Sequence, residues 1–174
     1  PKPQKSLNTP ATTSIDRDNI IPMIALLAGA CIFKDKKILL VQNRPDHREP
    51  LKWGMPGGHG NPGETLTEIA IREVKEETNL DIRITGLSIG ALATASTGTE
   101  FFVALYIATP LNLNQLKLQK SEVHAIAWAS LDDIAADKYP LREEKILKPL
   151  ILRSFTSPPA PIDSFIKVDF SSEH

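Results

Sequence analysis

The segment Lys52–Leu80, KWGMPGGHGNPGETLTEIAIREVKEETNL, places a loop rich in glycine and proline directly before a helical pattern. Thr65 and Glu68 have the spacing of a capping box, which predicts that the helix begins after Thr65. Apolar side chains recur every four residues from Leu66 to Val74, which predicts that one face of the helix is buried. The segment therefore predicts a flexible loop that leads into an amphipathic helix.

The helix carries three glutamates, Glu73, Glu76 and Glu77, within an arc of about 100°. Three like charges repel one another, and a solvated acidic face balanced by Arg72 and Lys75 is one interpretation. The glycine-rich loop in front favours another, because glycine lets the backbone approach a ligand or a metal ion closely. Mg²⁺ prefers oxygen ligands, so clustered carboxylates beside such a loop predict a metal site.

Composition narrows the class of protein. With 174 residues and 41% hydrophobic content, the chain suits one globular domain. Its 20 basic and 21 acidic residues give a formal charge of -1, so nothing indicates binding to extended nucleic acid or to an anionic membrane.

The longest apolar run, of about 14 residues, is too short to span a bilayer. The single cysteine, Cys31, excludes an internal disulfide, and a cytoplasmic location is expected.

The order of the predicted elements indicates the fold class. Residues 1–19 are predicted to be a flexible tail, residues 20–157 the domain, and residues 158–174 a mobile or loosely docked tail. Within the domain, strands are predicted at residues 23–33, 37–43, 80–85, 101–108 and 123–129, and helices from residue 65, from residue 130 and from residue 142 to a break at Pro149. This order predicts an α/β fold with a mixed sheet flanked by helices.

The opening segment contains charged residues at a distinctive fixed spacing. Gly58 is followed after five residues by Glu64, and after seven more by REVKEET at Arg72–Thr78, then Asn79 and Leu80. This arrangement closely resembles the Nudix box, in which glycine stands where this chain has Asn79. Asparagine is the least costly substitute in a left-handed helix end, so we expect that conformation there.

The resemblance extends over most of residues 20–153 and implies both a fold and a chemistry. It implies a mixed β-sheet sandwiched between α-helices and a hydrolase that uses Mg²⁺ or Mn²⁺ to cleave a nucleoside diphosphate linked to another group. It also implies roles for individual residues. The implied metal ligands are the Gly58 carbonyl and the side chains of Glu73, Glu76 and Glu77; Glu73 is a ligand or the base; and Glu64 and Arg72 brace the site.

Relatives often use one more acidic residue outside the box, as base or as ligand. Glu122 is the candidate, because it precedes a segment that resembles the family's strand tryptophan and following helix. Glu100 is the competitor, and the alternative for both residues is an ordinary exposed carboxylate. Arg44 ends the second predicted strand, where the family often has an arginine that faces the phosphates; the alternative is a solvated loop charge.

The resemblance also bears on the substrate. ADP-ribose pyrophosphatases usually have a proline about fifteen residues after the box, and dinucleoside polyphosphate hydrolases a tyrosine. Residues 91–100 contain neither. We therefore expect a small nucleotide substrate, either a nucleoside triphosphate or a modified nucleotide, and a monomer or homodimer. ADP-ribose or another nucleotide sugar is the alternative, and an inactive Nudix-fold binding module a further one.

Overall fold

The computed structural model describes residues 24–94 and 98–164. The strands are β1 Ala25–Lys34, β2 Lys37–Asn43, β3 Trp53–Gly54, β4 Gly57–His59, β5 Ile82–Thr94, β6 Glu100–Pro110 and β7 Val123–Ser130. The helices are α1 Leu66–Thr78, α2 Leu131–Ala135 and α3 Glu144–Thr156, with short 3-10 turns at Leu113–Gln115 and Ile162–Ser164. The expected tail at residues 1–19 lies outside the described residues.

The first two predicted strands, β1 and β2, are joined as a β-hairpin. Asp35 and Lys36 both have positive φ, 49° and 60°, as a tight two-residue hairpin turn requires. The two strands pair only beside this turn, at Phe33 with Ile38 and at Lys34 with Lys37. Beyond the turn, each strand continues with other partners.

The strands form a mixed seven-stranded sheet with the order β3-β2-β1-β6-β5; β4 also pairs with β1, and β7 with β2. β1 and β6 run parallel, in register from Ala25 opposite Phe101 to Ile32 opposite Ala108. On its other side, β1 holds β4 antiparallel, with Ala28 opposite Gly58. This pairing fixes the first residues of the glycine-rich loop to the centre of the sheet.

Helices cover both faces of the sheet. Ala28 of β1 and Tyr106 of β6 pack in a buried cluster with Ile69 and Ala70 of α1. Cys31, which lies on the opposite side of β1, packs in the cluster that contains the buried residues of α2 and α3. This alternation is the period of two expected of a strand buried on both faces. The predicted sandwich of a mixed sheet between helices is thereby confirmed.

The predicted ends of α1 are also confirmed. The Thr65 side chain accepts a hydrogen bond from the Glu68 backbone N–H, and the Glu68 carboxylate accepts one from the Thr65 N–H, so the capping box is complete. Asn79 closes the helix in the left-handed conformation, with φ 59° and ψ 10°. Its side chain also donates to the Gln115 carbonyl at 3.1 Å, which ties the helix end to the 3-10 turn after β6.

Two details near the C-terminal end differ from the sequence-based expectation. Helix α3 does not break at Pro149 but continues to Thr156, because Leu150, Ile151 and Ser154 beyond the proline are buried against the domain. The expected tail from residue 158 begins as an ordered contact, since Ala160 and Leu87 exchange two backbone hydrogen bonds of 2.7 and 2.8 Å. Tertiary packing outweighs the local signals at both places.

Between residues 24 and 164, apart from the gap at 95–97, no helix combines the length and the hydropathy needed to cross a membrane.

Candidate active site

The glycine-rich loop lies directly against the acidic face of α1. Gly57 and Gly58 are held by their pairing with β1. A Cβ atom on Gly58 would lie 2.6 Å from the carboxyl carbon of Glu73, so any larger residue would displace either the loop or this carboxylate. Glycine at this position therefore allows the backbone and the glutamate to touch.

Arg72 forms the charged centre of the site. Its Nε and Nη2 donate to the two carboxylate oxygens of Glu64 at 2.6 and 2.9 Å. Its Nη1 donates to Glu73 at 2.7 Å and to Glu76 at 3.0 Å, and Nη2 also reaches the carbonyl of His59 at 2.9 Å. One guanidinium thus orients three carboxylates and the loop, which is the geometry that the expected bracing role needs.

The hydrogen bonds of Arg72 shift the pKa values of the charged groups that they join. Hydrogen bonds from Arg72, and then from the Asn61 backbone N–H, lower the pKa of Glu64 to about 2. The pKa of Arg72 is raised, chiefly by its hydrogen bond to Glu64 and despite partial burial. Both groups are therefore charged at any physiological pH, and the Glu64–Arg72 pair is a fixed support for the other glutamates.

Glu77 has a different environment from its neighbours. Its carboxylate accepts a hydrogen bond from the Gly57 N–H at 2.9 Å. Burial of this carboxyl group raises its pKa to about 8, while Arg142 and the Gly57 N–H act in the opposite direction. The negative charges of Glu73 and Glu122 raise the pKa further. A nearby cation would stabilise the ionised form of this carboxyl group.

The donor set suits a hard cation, although its members are not gathered around one point. In residues 24–94 and 98–164 no group of three or more acidic, histidine or cysteine side chains is arranged to hold a metal ion. Instead, Glu73 and Glu76 are bound to Arg72, and Glu77 to the Gly57 N–H. Three carboxylates and the Gly58 carbonyl within one loop and helix are nevertheless the oxygen ligands that Mg²⁺ prefers.

A cavity of about 350 Å³ opens beside Glu77. Its lining includes the charged residues Glu77, Glu122 and Arg142 and the apolar residues Phe101 and Leu150. A cleft with apolar walls and a few converging charged groups is the usual form of a small-molecule site. The residues that line it come from β1, β2, β4, β6, α1 and α3 and from the segments before β3, β4, β6, β7 and α3.

This cavity distinguishes the two acidic residues considered outside the box. Glu122 lies in its lining together with Glu77, and the charge of Glu122 contributes to the raised pKa of Glu77. Glu100 is exposed and does not line the cavity, although its neighbours Thr99 and Phe101 do. The fold therefore brings Glu122, and not Glu100, to the acidic face of α1.

Arg44 lies outside the cavity, in the arrangement expected of a solvated loop charge. Its guanidinium forms a bidentate pair with Asp46 at 3.0 and 2.8 Å and donates to the Ser121 carbonyl at 2.5 Å. It is absent from the lining of the cavity, whereas Arg48 and Arg142 belong to it. A contact of Arg44 with substrate phosphates stays a prediction.

Arg142 is the site residue that sequence reasoning missed. It precedes α3, 65 positions after Glu77 by residue number. Its Nη2 donates to the Met55 carbonyl at 2.7 Å, inside the glycine-rich loop. No local pattern in the sequence marks this residue, because the contact depends on how the segment before α3 folds back onto β3.

A larger groove, of about 1360 Å³, lies on the outer side of the loop between β4 and α1. Its lining is mainly apolar, and Glu64 is the one box glutamate that it contains. Of Glu73, Glu76 and Glu77, only Glu77 lines the smaller cavity and none lines this groove, so the smaller cavity is the better candidate for the site.

Comparisons with known proteins agree with the fold and identify the family. The family model described as NUDIX domain matches residues 23–150. The chain is 26% identical over 150 residues to mouse (Mus musculus) nucleoside diphosphate-linked moiety X motif 6, covering 84% of this chain and 45% of that protein. It is 38% identical over 65 residues to an ADP-ribose pyrophosphatase of Methanocaldococcus jannaschii, covering 36% of this chain and 37% of that protein. The chain thus spans less than half the length of these two relatives.

A solved structure of a NUDIX hydrolase from Nitrosomonas europaea is similar over its whole length. The match has a TM-score of 0.74 and 25% sequence identity, and it covers 86% of this chain and 100% of that one. The order of strands and helices described above is therefore that of a known enzyme fold.

Proposed function

Because the chain belongs to the Nudix family, we propose that it is a pyrophosphohydrolase that cleaves a nucleoside diphosphate-linked substrate with the help of a divalent cation. The observation that carries this proposal is the position of Glu77 and Glu122 in one cavity, beside a loop and helix that supply further carboxylates. A binding module would not need this set of acidic groups, since carboxylates repel the phosphates of a nucleotide unless a cation lies between them.

The side chains of Glu73, Glu76 and Glu77 and the carbonyl of Gly58 are the proposed ligands of Mg²⁺, with Mn²⁺ as a substitute. When bound, such an ion neutralises phosphate charge and lowers the pKa of water. Glu64 and Arg72 hold two of these glutamates in place through the hydrogen bonds described above. Arg72 binds only one oxygen of each of these two carboxylates, so the second oxygens of Glu73 and Glu76 would be available to the ion.

The proposed reaction is attack of a water oxygen on a phosphorus atom of the pyrophosphate. A new P–O bond forms, the bond from phosphorus to the bridging oxygen breaks, and that oxygen leaves with the second phosphate group. Glu122 is the proposed base that accepts the proton of the attacking water, because its carboxylate lies in the cavity lining outside the box. Glu73 is the alternative base.

For the substrate, we propose a nucleoside triphosphate or a modified nucleotide. The apolar lining residues, among them Phe101 and Leu150, suit a flat nucleobase, and the charged lining residues suit phosphates and the cation that accompanies them. The second candidate is ADP-ribose or another nucleotide sugar, which the similarity to the Methanocaldococcus jannaschii ADP-ribose pyrophosphatase supports over 65 residues.

The resemblance to the Nudix family also raises the alternative of an isoprenoid diphosphate isomerase, which shares the fold but needs a catalytic cysteine, and Cys31 does not fit that role. It is fully buried in the core, and this burial raises the pKa of the thiol to about 12. A neutral thiol without solvent access is a poor nucleophile and a poor acid. The hydrolase proposal is therefore the better supported one.

The test is a screen of nucleoside triphosphates, oxidised nucleotides, ADP-ribose and nucleotide sugars, with Mg²⁺, Mn²⁺ or EDTA. Chromatography of the products identifies the bond that breaks: a triphosphate cleaved to monophosphate and pyrophosphate supports the first candidate, and ADP-ribose cleaved to AMP supports the second. The matched control is Glu77→Gln, which should lose activity on the same substrate. No cation-dependent cleavage of any compound would contradict the proposal.

A further inference from the structure

The segment before α3 is attached to the strand that leads into the glycine-rich loop. The Trp53 N–H donates to the Pro140 carbonyl at 2.9 Å, and the Arg142 N–H donates to the Trp53 carbonyl at 2.9 Å. Trp53 also packs edge-on against Tyr139, with ring centroids 5.2 Å apart. The backbone of Arg142 is therefore held beside β3.

From this position the guanidinium reaches the loop itself. Nη2 donates to the Met55 carbonyl at 2.7 Å and makes a longer contact of 3.4 Å with the Gly57 carbonyl. Nη1 lies 3.4 Å from the side-chain oxygen of Asn43, at the end of β2. The N–H of Gly57, two residues after Met55, holds the Glu77 carboxylate at 2.9 Å. Arg142 and Glu77 thus bind the same short stretch of backbone.

Gly54 gives a second, independent observation. A Cβ atom added there would lie 2.3 Å from Nε of Arg142, and the next two nearest atoms also belong to the Arg142 guanidinium. Because the three atoms nearest to this position all belong to Arg142, the absence of a side chain at Gly54 leaves space for the Arg142 guanidinium. An alanine would have to displace the guanidinium from the loop.

We propose that Arg142 is a positioning residue that clamps the loop at Met55–Gly57, so that the Gly57 N–H and the adjoining Gly58 carbonyl keep a fixed relation to Glu77. The catalytic part of this inference rests on the proposed function, in which the Gly58 carbonyl and Glu77 bind the divalent cation. Arginine suits the role because its planar fork donates to two acceptors at once, which the ammonium group of lysine does not reproduce.

An alternative role for the same residue is a simple counter-charge. The positive charge of Arg142 lies close enough to Glu77 to favour its ionised form. If that were its whole contribution, the charge of a lysine would serve as well, and Arg142→Lys would bind the cation like the wild type. The two roles therefore predict different results for Arg142→Lys.

The experiment measures Mn²⁺ binding to the full chain by electron paramagnetic resonance, and kcat and KM on the substrate found by the screen. For the clamp, Arg142→Lys and Arg142→Ala should both bind Mn²⁺ about 10- to 100-fold more weakly, with kcat reduced by a similar factor and KM changed much less. Arg153→Ala, an exposed arginine of α3, is the matched control and should behave as wild type. Wild-type binding in Arg142→Lys, or tighter binding in Arg142→Ala, would overturn the clamp.

The Gly54→Ala variant tests the close contact between Gly54 and the Arg142 guanidinium. It should reproduce the Mn²⁺ and kcat defects of Arg142→Ala, while Gly54→Ala in the Arg142→Ala background should add no further loss. Additive defects would show that Gly54 acts through other contacts and would overturn the steric argument. If the wild type binds Mn²⁺ but cleaves none of the compounds in the screen, the proposed function fails, while the binding measurements still decide the clamp.

Discussion

Three glutamates that share one turn of α1 differ in what surrounds their carboxylates. The Glu76 side chain is 49% exposed and the Glu73 side chain 16% exposed, and both are bound to Arg72. Glu77 instead points to the backbone of the loop and has a raised pKa because of burial. A rotation of about 100° per residue separates the environments of neighbouring residues on one helix, so adjacent glutamates can have unlike roles.

The position of Glu122 in the cavity lining predicts that this residue is the base that accepts a proton from the attacking water. Glu122→Gln should lower kcat by about 100-fold or more, because an amide cannot accept the proton from the attacking water. The melting temperature should change little, since Glu122 is exposed at the protein surface. Steady-state kinetics and thermal unfolding of the same preparation check both parts.

Glu100→Gln is the matched control for this prediction. It removes an equally exposed carboxylate that does not line the cavity, so its kinetics should be those of the wild type. A damaging Glu100→Gln beside a harmless Glu122→Gln would show that the wrong loop has been assigned. If neither change has an effect, Glu73 becomes the base.

Helices α1 and α3 have the same length and contrasting local sequences. Each contains 13 residues, and α1 has a full capping box and a left-handed asparagine at its end. Helix α3 has no side-chain hydrogen bond at its N-cap, and Pro149 lies inside it. The sequence therefore favours α1 as a helix by itself, whereas α3 depends on the burial of Leu150 and Ile151.

This difference predicts that Pro149→Ala stabilises the protein. Alanine restores the backbone N–H that a helix interior uses and removes the clash of the proline ring, so the free energy of unfolding should rise by about 1–3 kcal/mol. Urea denaturation measures it, and Lys145→Ala, an exposed position in the same helix, should stay within about 0.5 kcal/mol of wild type. A less stable Pro149→Ala protein would mean that the fixed φ of proline in the unfolded chain matters more than its cost in the helix.

The candidate site lies where strands β1 and β4, helix α1 and the segment before α3 come together. Strand β1 is parallel to β6, antiparallel to β4, and joined to β2 by the hairpin. The glycine-rich loop includes β4 and leads into α1. The Arg142 side chain contacts the same loop from the segment before α3. Cation binding at this junction should therefore stabilise the entire domain, because the ligands become properly arranged only when the domain is folded.

The expected result is a rise in melting temperature on addition of Mg²⁺. Saturation to about 100 times the dissociation constant corresponds to roughly 2.7 kcal/mol for a single site. The rise should be smaller in Glu77→Gln and in Glu76→Gln, and unchanged in Glu144→Gln, which removes an exposed carboxylate at the start of α3. Equal rises in all four proteins would exclude Glu76 and Glu77 as ligands.

The sequence by itself determined the elements whose signals are local. The capping box at Thr65, the left-handed end at Asn79 and the two-residue turn at Asp35 and Lys36 all depend on neighbouring residues, and the structure has each of them. The cluster of glutamates is likewise a local property, because 3.6 residues per turn places them on one side of any helix.

The tertiary structure alone decided which distant residues meet these elements. The position of Glu122 beside Glu77, the pairing of Arg44 with Asp46 and the approach of Arg142 to Met55 each depend on how loops return to the sheet. The continuation of α3 through Pro149 has the same origin, since burial of residues beyond the proline outweighs its local cost. Such contacts join residues far apart in the chain, so their energies are set by the packing of the whole domain and leave no pattern in any short stretch of sequence.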